Sequence, residues 1–264
     1  MKGWHFALYS LSARLGQTRP VRKSARVNPT SKGSNPCESK KTVSFSIRST
    51  TKVIIDVNDV KAILDTNPEV IRITPEGTAF ARAQDSEHDA EPRFYNKKSD
   101  SRYGSADLPV GVLYLGFSDT VAVAEVFQPP GDDTPVAYAK LEQCSLHQLV
   151  AVRDLKLIDL PMLANLTGLK LRDVVRAKGQ GSEGYDPTRA LSKACMECGA
   201  DVDGLLYTSS VYSPAGTLEG CNAALFDERG EQVKPVSHKP LLKERLSNGK
   251  TAVKHLQDLG VSLE

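Results

Sequence analysis

The chain has 264 residues, 40% of them apolar, and a formal net charge of +2. That is enough to build one large domain with a sizeable core, or one domain with an appendage. It contains no run of roughly 18 apolar residues, the length a membrane-spanning helix needs, so no membrane partner is expected.

The small net charge hides an asymmetry. Residues 1–52 carry eleven Lys/Arg against one acid, Glu38, whereas residues 53–264 carry 23 basic and 31 acidic side chains. The five cysteines (Cys37, Cys144, Cys195, Cys198 and Cys221) are odd in number and scattered. That pattern does not suit a secreted disulfide framework, and a reducing cytoplasm is expected.

Residues 1–52 read as a basic extension. Residues 4–15 have the pattern of a short amphipathic helix, but the rest lacks apolar periodicity and is expected to be disordered. A dispensable tail, a tether to nucleic acid or an anionic surface, and an organelle transit peptide all fit it. Residues 53–57 read as a strand, and Asn58-Asp59 as the start of a short helix to Leu64. Residues 77–83 (GTAFARA) form a short apolar run ending near Arg82. That arginine is either a strand-end surface charge or a guanidinium fork for phosphate or carboxylate. Residues 84–106 are a long polar loop.

Residues 111–127 (GVLYLGFSDTVAVAEVF) are the stretch around which the chain is organised. An apolar run at 112–117 suits a buried strand, Ser118-Asp119-Thr120 offers a helix cap, and an apolar helix follows with Glu125 within it. An isolated buried carboxylate is costly, so Glu125 is expected to face a cleft or a partner, Arg82 among the candidates. Further on, residues 129–133 read as a turn, and 136–141 and 149–155 as strands, the second feeding 157–160. Residues 161–171 suggest a helix and 178–183 a glycine-rich loop. Asp186-Pro187 starts a helix that runs to about Cys198. Residues 204–207 and 223–226 read as strands joined by a hydroxyl- and glycine-rich loop. Helices are expected around 241–246 and 252–259.

Several motifs are missing: no phosphate-binding P-loop, no GxGxxG, no HExxH. The CxxC at Cys195–Cys198 lies on a helix without a second ligand pair, so core packing is expected and no metal. What remains is an ordered set of Arg82, Arg102-Tyr103, Tyr114, Glu125 and Ser209.

In order and spacing, the segments GTAFARA, FYN, SRYGSADLPVGVLYLGFSDTVAVAEVF, YDPTRALSKACMECGADVDGLLYTSS and NAALFDE resemble the RES domain. That family is named for an Arg, a Glu and a Ser and is similar to the toxins of RES–Xre toxin–antitoxin pairs. The likeness spans residues 77–228, as the core of a catalytic domain at 53–264. By this resemblance the three residues are Arg82, Glu125 and Ser209, and further cleft positions fall on Arg102 and Tyr114. Gln84 stands where many members have histidine, and Ser210 where arginine is common. The implied fold is α+β, a split, mostly antiparallel sheet flanked by helices and similar to the ADP-ribosyltransferase toxins.

The implied activity consumes NAD as substrate, without a metal. Cleavage of the nicotinamide–ribose bond builds positive charge on the sugar, as in glycoside hydrolysis, and a carboxylate such as Glu125 stabilises it. Arg82 and Arg102 suit the pyrophosphate, Tyr114 or Tyr103 the nicotinamide ring, and Ser209 a hydrogen bond to the ribose or to Glu125. The acceptor is left open between water, phosphate and a protein. A non-enzymatic alternative is a nucleic-acid-binding protein acting through the basic extension. The resemblance also implies a separate Xre-type antitoxin as a partner, and a homo-oligomer is left open.

Overall fold

The computed structural model describes residues 56–98, 100–127, 135–170, 185–199 and 201–264. The chain divides into two compact units, Met1–Thr50 and Thr51–Glu264, and every described residue lies in the second. The expectations for the basic extension and its helix, most of the strand at 53–57, the turn at 129–133 and the loop at 178–183 lie outside the described residues.

Helix α1 (Val57–Thr66) starts where Asp56 accepts a hydrogen bond from the Asn58 amide at 2.7 Å, and buries Val60 and Leu64, one turn apart. Strands β1 (Ile71–Thr74) and β2 (Ala79–Asp85) follow. A long irregular segment leads to β3 (Val112–Gly116) and α2 (Asp119–Phe127). Next come α3 (Tyr138–Glu142), β4 (Cys144–Ala151), β5 (Leu155–Asp159) and α4 (Leu160–Leu166). The described part closes with α5 (Asp186–Glu197), β6 (Gly204–Thr208), β7 (Cys221–Phe226), β8 (Val233–Pro240) and α6 (Ala252–Asp258).

The eight strands form one sheet in the order β1-β5-β6-β7-β3-β2-β4-β8. Only the β5–β6 pair is parallel; β1–β5, β7 with its two neighbours, and the β2, β4 and β8 pairs are antiparallel. The fold is α+β, as expected. The sheet is split at its centre, where β2 and β3 share a single register pair, Ala81 with Gly116. Beyond that point Asn96, from the irregular segment, bridges to Val112 in the place a β2 residue would take.

Three apolar clusters fill the domain. One lies under α1, α4 and α5 and includes Val60, Leu163, Leu191, Leu205 and Phe226. A second lies under α2, α3 and α6 and includes Ala81, Val123, Phe127, Leu141 and Leu256. The third is made of strand residues alone, including Phe80, Leu113, Leu149, Leu157 and Leu225. Strands distant in the sheet order, β4 and β5, meet in it, so the sheet curls around this cluster.

Some local expectations differ from the structure. Residues 136–141 are not a strand: Val136 makes one isolated bridge to Leu263 and α3 follows, burying Leu141 while Tyr138 stays exposed. The strand expected at 149–155 is two strands, β4 ending at Ala151 and β5 beginning at Leu155. The helix expected around 241–246 is a single short 3-10 turn, Leu241–Lys243. Two edge strands, β1 and β8, are present without having been expected. No helix among the described residues is long and apolar enough to cross a membrane.

Candidate active site

A cleft of about 370 Å³ opens where the sheet splits, between the two helix-covered clusters. Its floor comes from Ala81, Tyr114, Gly116, Tyr207 and Asn222, and its walls from α2 and the 100–102 segment. The tight turn from β3 into α2 requires Gly116, because a Cβ there would lie 2.7 Å from the Val121 side chain and 2.8 Å from the Ser118 carbonyl oxygen. Ser118 caps the helix, its Oγ accepting from the Val121 amide at 3.2 Å. Asp119 ties the first turn to the C-terminal region by accepting from Ser247 Oγ at 2.6 Å. Val121, Ala122, Val123, Ala124 and Phe127 are all buried, as an almost wholly apolar helix demands.

Glu125 is the exception on that helix. It lines the cleft, half-buried, and among the described residues accepts one hydrogen bond, from Asn222 Nδ2 at 3.0 Å. The ion pair with Arg82 considered above is not formed. Arg82 also lines the cleft, and its Nη1 donates to the carbonyls of Pro92 (2.9 Å) and Phe94 (3.5 Å). Burial lowers its pKa to about 10, which leaves it charged at neutral pH.

Arg102 lies over two neighbouring phenol rings, 5.9 Å from the centroid of Tyr103 and 6.0 Å from that of Tyr207. Burial acts to lower its pKa, but the Tyr103 and Tyr207 phenols and the Glu125 carboxylate more than offset this and raise it. Helix α5 fixes this segment by taking three successive carbonyls. Arg189 Nε donates to Ser101 O (2.9 Å), Thr188 Oγ1 to Arg102 O (2.6 Å) and Ser192 Oγ to Tyr103 O (2.9 Å). Arg189 also pairs with Asp100 and packs 5.4 Å over the Tyr185 ring, which lines the cleft.

Tyr114 is where the sequence places it, on the cleft floor, with its hydroxyl 2.9 Å from Ser101 Oγ and accepting from the Tyr103 amide at 3.0 Å. Burial pushes its pKa up to about 12. The structure thus brings Arg82, Arg102, Tyr114 and Glu125 to one cleft.

It does not bring Tyr103 or Ser209 to the lining. Tyr103 is fully buried in the core, its ring 4.7 Å from that of Tyr207. The buried Ser209 Oγ accepts from the amides of Val211 (3.1 Å) and Tyr212 (3.0 Å) and so holds the turn after β6. Three cleft residues, Asn222, Tyr207 and Tyr185, were missed as site candidates. Tyr207 stands two residues before Ser209 in the sequence. Asn222 carried a weak signal, an amide in an otherwise apolar strand.

Residues 79–244, from β2 through β8, match the family model described as RES domain. The chain belongs to the RES domain family. A comparison with curated proteins gave no match. At family level the RES domain carries a toxin-like role and NAD-related enzymatic activity, with an antitoxin as partner. Among the described residues of this RES domain, no group of three or more His, Cys, Asp or Glu side chains is disposed to hold a metal ion. Cys195 of α5 and Cys198 just after its end are core residues, and burial pushes the Cys195 thiol well above its usual range.

Proposed function

We propose that this RES domain cleaves the nicotinamide–ribose bond of NAD, by hydrolysis or phosphorolysis. The observation that carries the reading is Glu125: a carboxylate in a cleft that, among the described residues, is held by one amide and makes no ion pair, facing a site with two guanidinium groups. As the C1′–N bond breaks, its electron pair leaves with neutral nicotinamide and positive charge develops on the ribose. Glu125 stabilises that charge. Water or phosphate then forms the new C1′–O bond, with a proton released when water is the acceptor.

The remaining residues bind and orient. Arg82 and Arg102 supply cationic donors for the pyrophosphate. Tyr114 and Tyr185 offer ring faces for the flat heterocycles. Asn222 holds Glu125, and Ser209 acts from behind by fixing the turn after β6. On this reading the enzyme works in the cytoplasm and is neutralised by a separate Xre-type antitoxin.

The test is to incubate the full-length protein with NAD, with and without phosphate, and to follow free nicotinamide. Release is expected. ADP-ribose as the sugar product would mark hydrolysis, and phosphate-dependent ADP-ribose 1″-phosphate would mark phosphorolysis. No release in either arm would overturn the reading.

A further inference from the structure

A second polar cluster lies beside Arg82, on β2, β4, β8 and the turn after β2. Its centre is Asp89. His147 of β4, opposite Arg82 in register and almost fully buried, places Nε2 2.8 Å from Asp89 Oδ1. Ser145 Oγ donates to Asp89 Oδ2 at 2.9 Å. His238 Nε2 of β8 lies 3.7 Å from the same carboxylate, and its ring stacks on His147 at 5.1 Å. Gln84 Nε2 donates to His88 O at 2.7 Å, which adds a second tie. Because a carboxylate only accepts, His147 Nε2 is the donor to Asp89.

The mechanical result is that the segment after β2 is pinned to β4. Three residues beyond Asp89, that segment presents the Pro92 carbonyl to Arg82 Nη1, and then the Phe94 carbonyl. Arg93 fastens the same stretch by donating to Glu231 at 2.6 Å and to the Val233 carbonyl at 3.3 Å. Carbonyls orient the guanidinium without neutralising its charge, which a salt bridge would do.

We propose that Asp89, clasped by His147 and Ser145, is the positioning residue for Arg82, fixing the carbonyls that hold the guanidinium in the cleft. The kinetic part of the test rests on the NAD reading above; the structural part does not.

The experiment compares full-length wild type with Asp89→Asn, Ser145→Ala, Arg82→Ala and the double variants, by nicotinamide-release kinetics and amide hydrogen exchange. Asp89→Asn is expected to raise KM for NAD about tenfold with kcat changed less than about twofold, the signature of lost ground-state binding. Ser145→Ala is expected to raise KM about twofold. Neither change should add to the KM of Arg82→Ala, because they act through that residue. Exchange of the Phe94 and Asn96 amides should quicken in Asp89→Asn while that of Leu113 and Leu115 does not.

Unchanged KM, multiplicative effects in the double variants, or unchanged exchange at Phe94 and Asn96 would overturn the proposal. If wild type released no nicotinamide, the NAD reading would fail while exchange still decided the clasp. If Asp89→Asn did not fold, Ser145→Ala would carry the same cycle.

Discussion

Two acidic side chains of this domain, Asp203 and Glu125, are built on opposite plans. Asp203 is saturated. Arg153 grips it with both terminal nitrogens, at 2.5 and 2.9 Å; the Lys156 amide donates at 2.8 Å, and Gln232 Nε2 approaches at 3.3 Å. Gln232 Nε2 in turn donates to the Asp203 carbonyl, and its Oε1 accepts from the Tyr95 hydroxyl. Burial alone would raise the Asp203 pKa, yet these donors bring it below the usual carboxylate value. Glu125, by contrast, has a single amide donor and an open cleft in front of it. A carboxylate whose bonds are all made inside the protein serves the fold. On the proposed reading, one that keeps acceptor positions open to the cleft serves chemistry.

That contrast is sharpened first by Asp203→Asn. Removing the charge from a bidentate pair that is buried on the Asp203 side and solvent-exposed on the Arg153 side should cost about 2 kcal/mol of stability, read by denaturant unfolding. Nicotinamide release per folded molecule should be unchanged. Next is Asn222→Ala, which removes the amide that holds Glu125 among the described residues. The expected result is about a tenfold loss in kcat, with little change in KM.

The smallest effect is in pH. Burial, the leading cause, lowers the pKa of both His147 and His255 below 6.5. The native state therefore binds fewer protons than the unfolded chain, so their contribution to stability is complete above pH 6.5 and is lost as pH falls through the lowered folded values. Asp203 behaves as a carboxylate with a depressed pKa: its contribution holds above 3.8 and is lost only in stronger acid. Thermal scans should show a first decline on the order of a few degrees below pH 6.5. His147→Gln should reduce that decline, leaving the His255 share, without touching the acid limb.

Legibility from sequence followed the range of the interactions. The β3–α2 unit and Glu125 were readable because a strand run, a cap and a carboxylate in an apolar helix are local signals. Helix α5 was readable from Asp186-Pro187, and its Thr188, Arg189 and Ser192 turn out to hold the segment that carries Arg102. Strand β8 was hidden by Pro235, Pro240 and its charged residues, which an edge strand tolerates because one side makes no ladder bonds. Strand β1 was hidden by its four-residue length. Asn222 and Glu125 are 97 residues apart, and Asp89 and His147 are 58 apart. No local pattern announces such pairs, since the sheet order alone brings them together. Ser209 was placed by motif order, and only the geometry showed its hydroxyl turned to its own loop.

The central claim is that Glu125 is kept for the substrate and not for the fold. It is tested most directly by measuring nicotinamide release and the thermal midpoint on one preparation of Glu125→Gln beside wild type. The expected result is a loss of release of about a thousandfold, the scale of removing a group that stabilises transition-state charge, with the midpoint unchanged or higher. Release near the wild-type rate, or a midpoint that falls as it does for Asp203→Asn, would contradict it.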